Sequence, residues 1–148
     1  MKGLKDKVVI VSGGATLIGA AVARAFVAEG ARVVIADIDT RGGTALATEL
    51  GECCRFIATD VTRDADIEAC VAATLKAFGG LDCLVNVAAA YVDKGFDSPR
   101  EDWEKAFAIN VFGAVMFLRA CRSHLKDGGA VVNFGSTSAG VAQAGLFD

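Results

Sequence analysis

Two hydrophobic patterns alternate along the chain. Short β-branched runs at Val8–Val11, Arg32–Ala36, Arg55–Ala58, Cys83–Val85 and Ala130–Phe134 read as strands. Ala-rich segments with helical spacing lie between them, near Ile18–Glu29, Arg41–Leu50, Arg63–Phe78 and Pro99–Leu125. Glycines punctuate the joins at Gly30, Gly51, Gly79-Gly80 and Gly128-Gly129, where a helix end turns through left-handed backbone. The strands are almost continuously apolar, so both faces of their sheet must be covered. Strand-helix alternation of this kind predicts βαβ units and an α/β fold, a doubly wound parallel sheet with helices on both faces, in one domain over 1–148.

The last helix has a well-specified start. Ser98-Pro99-Arg100-Glu101 offers a serine cap, a proline at the first helical position and a glutamate placed for a capping box. From Ala106 to Leu118 the helix is apolar almost all round, with Asn110 the polar exception. Such a helix must be covered on more than one side. A second copy of the chain packed on the 99–125 helix would do this, and so would further C-terminal chain.

The first strand runs into Ser12-Gly13-Gly14-Ala15-Thr16-Leu17-Ile18-Gly19 and then a helix. A strand, a glycine turn and a helix N-terminus place backbone N–H groups and the positive end of a helix dipole against a pyrophosphate. Gly13 permits the turn, and Gly19 permits close helix-sheet packing. The same turn could also be a plain connection. The second strand argues otherwise, because it ends in Asp37, beside the tip of the first. A carboxylate there accepts the hydroxyls of an adenosine ribose and repels the extra phosphate of NADP. Thr16 and Ile38 stand where an arginine would bind that phosphate, although Arg41 is nearby. The expected cofactor is therefore NAD, in a Rossmann-type sheet.

Composition narrows the partners. Hydrophobic residues make up 53% of the 148, which argues against a disordered chain. The formal charge of -3 gives no general attraction for nucleic acid or an acidic membrane. Lys2, Lys5 and Lys7 before an apolar run resemble a signal peptide, but Ser12-Gly13-Gly14 breaks the run after Val11, and Arg24 and Glu29 follow. No stretch approaches the length of a membrane helix, so a cytoplasmic location is expected. Cys53, Cys54, Cys70, Cys83 and Cys121 show no metal-site spacing, and His124 is the single histidine. They read as reduced thiols in an apolar core, with the adjacent Cys53-Cys54 pair the alternative redox candidate. No metal site is expected.

Several separated segments, in order, resemble the short-chain dehydrogenase/reductase family. Ser12 to Gly19 is similar to that family's T-G-x-x-x-G-x-G loop, with Ser12 for the threonine and Leu17 for the middle glycine. The site this implies runs through Gly13, Thr16, Leu17, Ile18, Gly19, Asp37 and Ile38. Asp60-Val61 looks like the family's D-V pair, the aspartate facing the adenine amino group and the valine packing on the ring. Asn86-Val87-Ala88-Ala89 looks like the N-N-A-G segment, which holds the central sheet and runs beside the ribose. Its second asparagine and its glycine are changed here, so Asn86, Ala88 and Ala89 carry the resemblance. Asn110 corresponds to an asparagine that holds a water in the proton relay, although an asparagine on an apolar helix is also a local hydrogen-bonding device. Ser136, after Val131-Val132-Asn133-Phe134-Gly135, corresponds to the catalytic serine; Thr137 and Ser138 are its neighbours, and Gly135 replaces the more usual serine.

The resemblance implies hydride transfer between the nicotinamide and a secondary alcohol or ketone. A tyrosine acts as general acid/base beside a lysine, both from a Y-x-x-x-K motif. The sequence ends at Gly145-Leu146-Phe147-Asp148, where that motif should begin, and Tyr91, its single tyrosine, is followed by Val92-Asp93-Lys94. Tyr91 is expected beside cofactor or substrate, or as a surface aromatic. The reading at this point is a nucleotide-binding portion of a longer enzyme, catalytically incomplete alone and prone to associate through exposed apolar surface. A naturally shortened or cleaved product would look the same. The alternative function is a dinucleotide-binding module without catalysis, a redox sensor or scaffold. An S-adenosylmethionine methyltransferase shares the glycine turn and acidic strand tip, but leaves the order of Asn86, Asn110 and Ser136 unexplained.

Overall fold

The computed structural model describes residues 3–92 and 97–136. Lys2, Asp93-Lys94, Thr137-Ser138 and the 145–148 segment, all weighed above, lie outside the described residues. Five parallel strands form one sheet in the order β3-β2-β1-β4-β5. These are β1 (Val8–Ser12), β2 (Arg32–Asp37), β3 (Cys54–Ala58), β4 (Leu81–Asn86) and β5 (Leu125–Asn133). Strand β1 is central and buried throughout, pairing Ile10 with Val34 on one side and with Leu84 on the other. The chain leaves β1 toward β2 and later returns to build β4 on the opposite side. That reversal opens a crevice at the carboxyl ends of β1 and β4.

Alternate residues of each strand serve two separate cores. Val9, Val11, Val33 and Ile35 face α1 (Leu17–Ala28) and α2 (Thr40–Leu50), meeting Ala20, Ala23 and Leu46. Ile10, Val34, Ala36 and Leu84 face the other way, toward Ile67, Cys70 and Val71 of α3 (Asp64–Phe78) and toward Phe117. This period-two division is why the middles of β1 and β2 are apolar on successive residues. Each fully buried Val, Ile or Phe contributes about 1.5–3 kcal/mol over exposure. Burial also pushes the thiols of Cys54 and Cys70 up to about 11 and that of Cys121 up to about 12, so they remain protonated and act as small apolar groups. Among the described residues no helix is long and apolar enough to cross a membrane.

The final helix differs from the sequence expectation. It begins at Arg100, with Pro99 rather than Ser98 in the cap position, because Pro99 keeps extended backbone at ψ 158°. It then runs as α4 (Arg100–Phe107), a π-helical stretch at Ala108–Gly113, and α5 (Ala114–Cys121), ending four residues before Leu125. The wider π turn lies where the helix presses on Val61; a Cβ on Gly113 would stand 2.9 Å from the Val61 side chain. Leu125 instead opens β5, which starts earlier than the β-branched run at Ala130 because an irregularity through Gly128-Gly129 lets Leu125 pair with Leu81 and Ala130 with Cys83. Ala106, Gly113, Phe117 and Cys121 are buried, whereas Trp103, Phe107, Val111, Phe112, Val115 and Leu118 are exposed. Among the described residues the helix is thus covered on one side.

At the opposite end of the sheet, buried Asp82 ties three segments together. Its carboxylate accepts the Val8 amide at 3.0 Å, the Lys7 ammonium at 3.0 Å and the Lys126 ammonium at 3.4 Å. Burial opposes the charge, but the Val8 amide and the two lysines outweigh it and hold the carboxyl below its ordinary value. A depressed folded value means the stabilisation is complete above about pH 4, the unfolded value, and disappears as pH falls through the folded one. Asp82→Asn should therefore lower Tm at neutral pH and flatten its fall below pH 4. An acid limb identical to wild type in thermal scans would refute this assignment.

Candidate functional site

The crevice predicted by strand order is a cleft of about 360 Å³. Its floor is the turn from β1 into α1, where Gly13, Thr16, Leu17, Ile18 and Gly19 line it. One wall is the tip of β2 and β3, with Ala36, Asp37, Ile38, Thr59, Asp60 and Val61. Val87, Ala88, Ala89, Ala90 and Tyr91, from the loop after β4, form the other wall with Ile109.

Glycine is needed in the turn for packing reasons internal to the protein. Gly13 has φ +71°, and a Cβ there would stand 2.5 Å from the Ala88 backbone. A Cβ on Gly19 would stand 2.0 Å from the Gly13 carbonyl oxygen. The turn thus folds flat between α1 and the β4 loop. Helix α1 has no acidic residue in its first turn and no side-chain cap, so its leading amides and the positive end of its dipole face the cleft.

Asp37 braces this turn. One carboxylate oxygen accepts the Ala15 amide at 2.9 Å and the other accepts the Asp39 amide at 3.0 Å. A carboxylate offers about four acceptor positions, so one remains on each oxygen for a ligand hydroxyl. Asp60 accepts the Thr62 hydroxyl at 2.7 Å and its amide at 2.9 Å. These two bonds hold its carboxyl below the ordinary range, against a small opposing effect of burial. Val61 is buried between the cleft and Gly113.

Three of the residues singled out in the sequence stand outside the lining. Asn86 is buried in the sheet, where its amide donates to Asn133 Oδ1 at 2.9 Å and to the Ala114 carbonyl at 3.5 Å. Its own Oδ1 has no hydrogen-bond partner among the described residues. Asn110 sits in the π stretch, and both ends of its side chain are taken by the backbone of one residue, Ala90. Its Nδ2 donates to Ala90 O at 2.9 Å, and its Oδ1 accepts Ala90 N–H at 2.8 Å. Asn110 therefore pins the β4 loop from which Ala90 and Tyr91 reach the cleft. Ser136 is exposed just past the end of β5, and between them the Phe134 amide donates to the Asn86 carbonyl at 3.0 Å. Thr59, Ala90 and Ile109 line the cleft without having been singled out. Thr59 had one legible signal, its place directly after a strand tip; Ala90 and Ile109 had none.

Gly19→Ala should force the turn apart, because the obstacle is a carbonyl oxygen of the backbone. A loss of more than about 2 kcal/mol is expected from this overpacking, with loss of any ligand held at the turn. Unchanged stability in chemical denaturation would mean that the close approach is not real.

With this geometry in hand, comparison with known proteins is informative. The sequence model of the family described as Enoyl-(Acyl carrier protein) reductase matches residues 13–146. The chain is 39% identical over 150 aligned positions to a sorbitol dehydrogenase of Cereibacter sphaeroides, covering 97% of this chain and 59% of that protein. An uncharacterized oxidoreductase of Thermotoga maritima is 37% identical over 142 positions, covering 92% of this chain and 56% of the relative. Among solved structures, a 3-ketoacyl-(acyl-carrier-protein) reductase from Brucella melitensis, complexed with NADH, superposes with a TM-score of 0.91 at 30% identity. That match covers 97% of this chain and 63% of the other. The chain thus spans little more than half the length of these curated relatives. Sheet order, glycine turn and sequence match over most of the chain agree: it belongs to the short-chain dehydrogenase/reductase family of oxidoreductases.

Proposed function

We propose that this chain provides the NAD-binding portion of an oxidoreductase that moves a hydride between the nicotinamide and a secondary alcohol or its ketone. The observation that carries the proposal is Asp37, whose carboxylate stands in the cleft wall beside the glycine turn. The residues fit the cofactor: Gly13 and Gly19 make a flat cradle at a helix N-terminus, and the cleft continues from Asp60 to Tyr91. The Thr16, Leu17, Ile18 and Gly19 backbone would hold the pyrophosphate, and Asp37 the adenosine ribose. Ile38, Asp60 and Val61 would flank the adenine, with Ala88 and Ala89 passing the ribose. Bound NAD supplies the hydride acceptor, and NADH the donor.

The choice of NAD over NADP rests on charge. A phosphate on the ribose would meet the Asp37 carboxylate at close range, and neither Thr16 nor Ile38 offers a cation. Ser136 donates a hydrogen bond to the substrate oxygen in this reading. Asn110 acts one step removed, as a positioning residue for the Ala90-Tyr91 loop. The exposed stripe of Trp103, Phe107, Val111 and Val115 supports a homo-oligomer formed through the 99–125 helix. The second reading, a binding module without catalysis, draws on the absence of Ser136 and Asn110 from the cleft lining.

Titration with both reduced cofactors tests the proposal. Wild type should prefer NADH over NADPH by at least about tenfold, a difference of about 1.4 kcal/mol. Asp37→Asn should erase most of that preference while retaining an acceptor for the Ala15 amide. Preference for NADPH in wild type would overturn the assignment. Ser136→Ala, made in a longer protein in which a Tyr-x-x-x-Lys segment follows this chain, should lower kcat by about 100-fold or more and leave the Kd for NADH unchanged. If that longer protein, with Ser136 intact, binds NADH but transfers no hydride from any of an alcohol panel to NAD, the non-catalytic module is correct.

A further inference from the structure

Among the described residues other than glycine, only Asp6 and Leu17 have positive φ. Asp6 lies in the turn before β1, away from the cleft. Leu17, at φ +46°, is the first residue of α1 and lines the cleft between Thr16 and Ile18. A branched side chain on left-handed backbone is disfavoured, because Cβ crowds the following carbonyl oxygen. The surroundings impose it. Gly13 and Gly19 are fixed by backbone contact, the Ala15 amide is held by Asp37, and the Ala20 amide reaches back to the Thr16 carbonyl at 3.1 Å. Packing does not compensate, since Leu17 is 88% exposed. Strain that persists without a packing reward, at a site built by its neighbours, points to a functional constraint there.

We propose that Leu17 limits the affinity of this cleft for ligands bearing a diphosphate. The inference rests on the dinucleotide reading of the cleft. Its isobutyl group stands at the helix N-terminus, beside the first-turn amides that a diphosphate must reach. It offers no donor to a phosphate oxygen, and it occupies space that water or the phosphate would otherwise take. A ligand must therefore displace and immobilise an exposed side chain. The adenosine-binding end, at Asp37, Asp60 and Val61, carries no such obstruction, so the effect is confined to the phosphate-bearing part of a ligand.

Two variants separate bulk from backbone strain. Leu17→Ala removes most of the bulk and keeps the strained conformation; Leu17→Gly removes both. Each should bind NADH and ADP-ribose about three- to tenfold more tightly than wild type, the range set by freeing one side chain from immobilisation. Adenosine affinity, measured by competition, should not change. Only Leu17→Gly should raise Tm, by about 1–3 °C. If wild type binds NADH and Leu17→Ala binds it no tighter, Leu17 is not the limiting group and the dinucleotide reading survives. An equal gain for adenosine would likewise overturn the proposal, because the effect would not be local to the phosphates. If neither wild type nor variants bind NADH or ADP-ribose, the proposal and the dinucleotide reading both fail.

Discussion

The site depends on backbone packed directly against backbone. Gly13 lies against Ala88 with no room for a Cβ, and Gly19 lies against Gly13 in the same way. These contacts draw the β1 turn, the start of α1 and the loop after β4 into one layer at the mouth of the sheet. Peptide bonds extend the strand ladder into that layer: Gly13 N–H to Ala36 O at 2.8 Å, and Val87 N–H to Ser12 O at 3.0 Å. The cleft is what remains above the layer. Its shape is therefore a property of the scaffold, set before any ligand arrives.

Polar side chains then fix the loops that the strands alone leave loose. Asp37 holds the turn through the Ala15 amide, and Asn110 holds the opposite wall through both the N–H and the carbonyl of Ala90. Asn86 links β4 to β5 and to the start of α5. Each polar group lies at the carboxyl end of the sheet, where the ladder gives out and backbone groups need other partners. Asp82 does the corresponding work at the amino end, away from the cleft. The same crowding that shapes the cleft leaves Leu17 in a conformation glycine would adopt more easily. Strain and the cleft lining thus meet at one residue.

Much of this was legible in the sequence, for physical reasons that can be named. Strands buried on both faces leave continuous apolar runs, so β1 through β4 were visible to within one or two residues. The Gly13–Gly19 turn and the carboxylate at Asp37 were visible because a strand tip followed by glycines or an acid is a local signal. The family resemblance was equally legible, and the comparisons support it. What escaped notice depended on distant parts of the chain. The π stretch at Ala108–Gly113 answers the position of Val61, nearly fifty residues earlier, and nothing in the helix itself announces it. The early start of β5 at Leu125 depends on pairing with Leu81 across an irregular segment. The pairing of Asn110 with Ala90 was hidden for the same reason. An asparagine on an apolar helix declares a hydrogen bond, but not its partner.

In the proposed reading the Gly13–Gly19 turn and the walls at Asp37, Asp60 and Ala88 form one dinucleotide site. Amide chemical-shift mapping during titration with NADH tests it most directly. The largest perturbations should fall at Gly13, Thr16–Gly19, Ile38, Val61 and Ala88–Tyr91, with the exposed face of Trp103 and Val115 unaffected. Perturbations centred elsewhere, or none at saturating NADH, would contradict it.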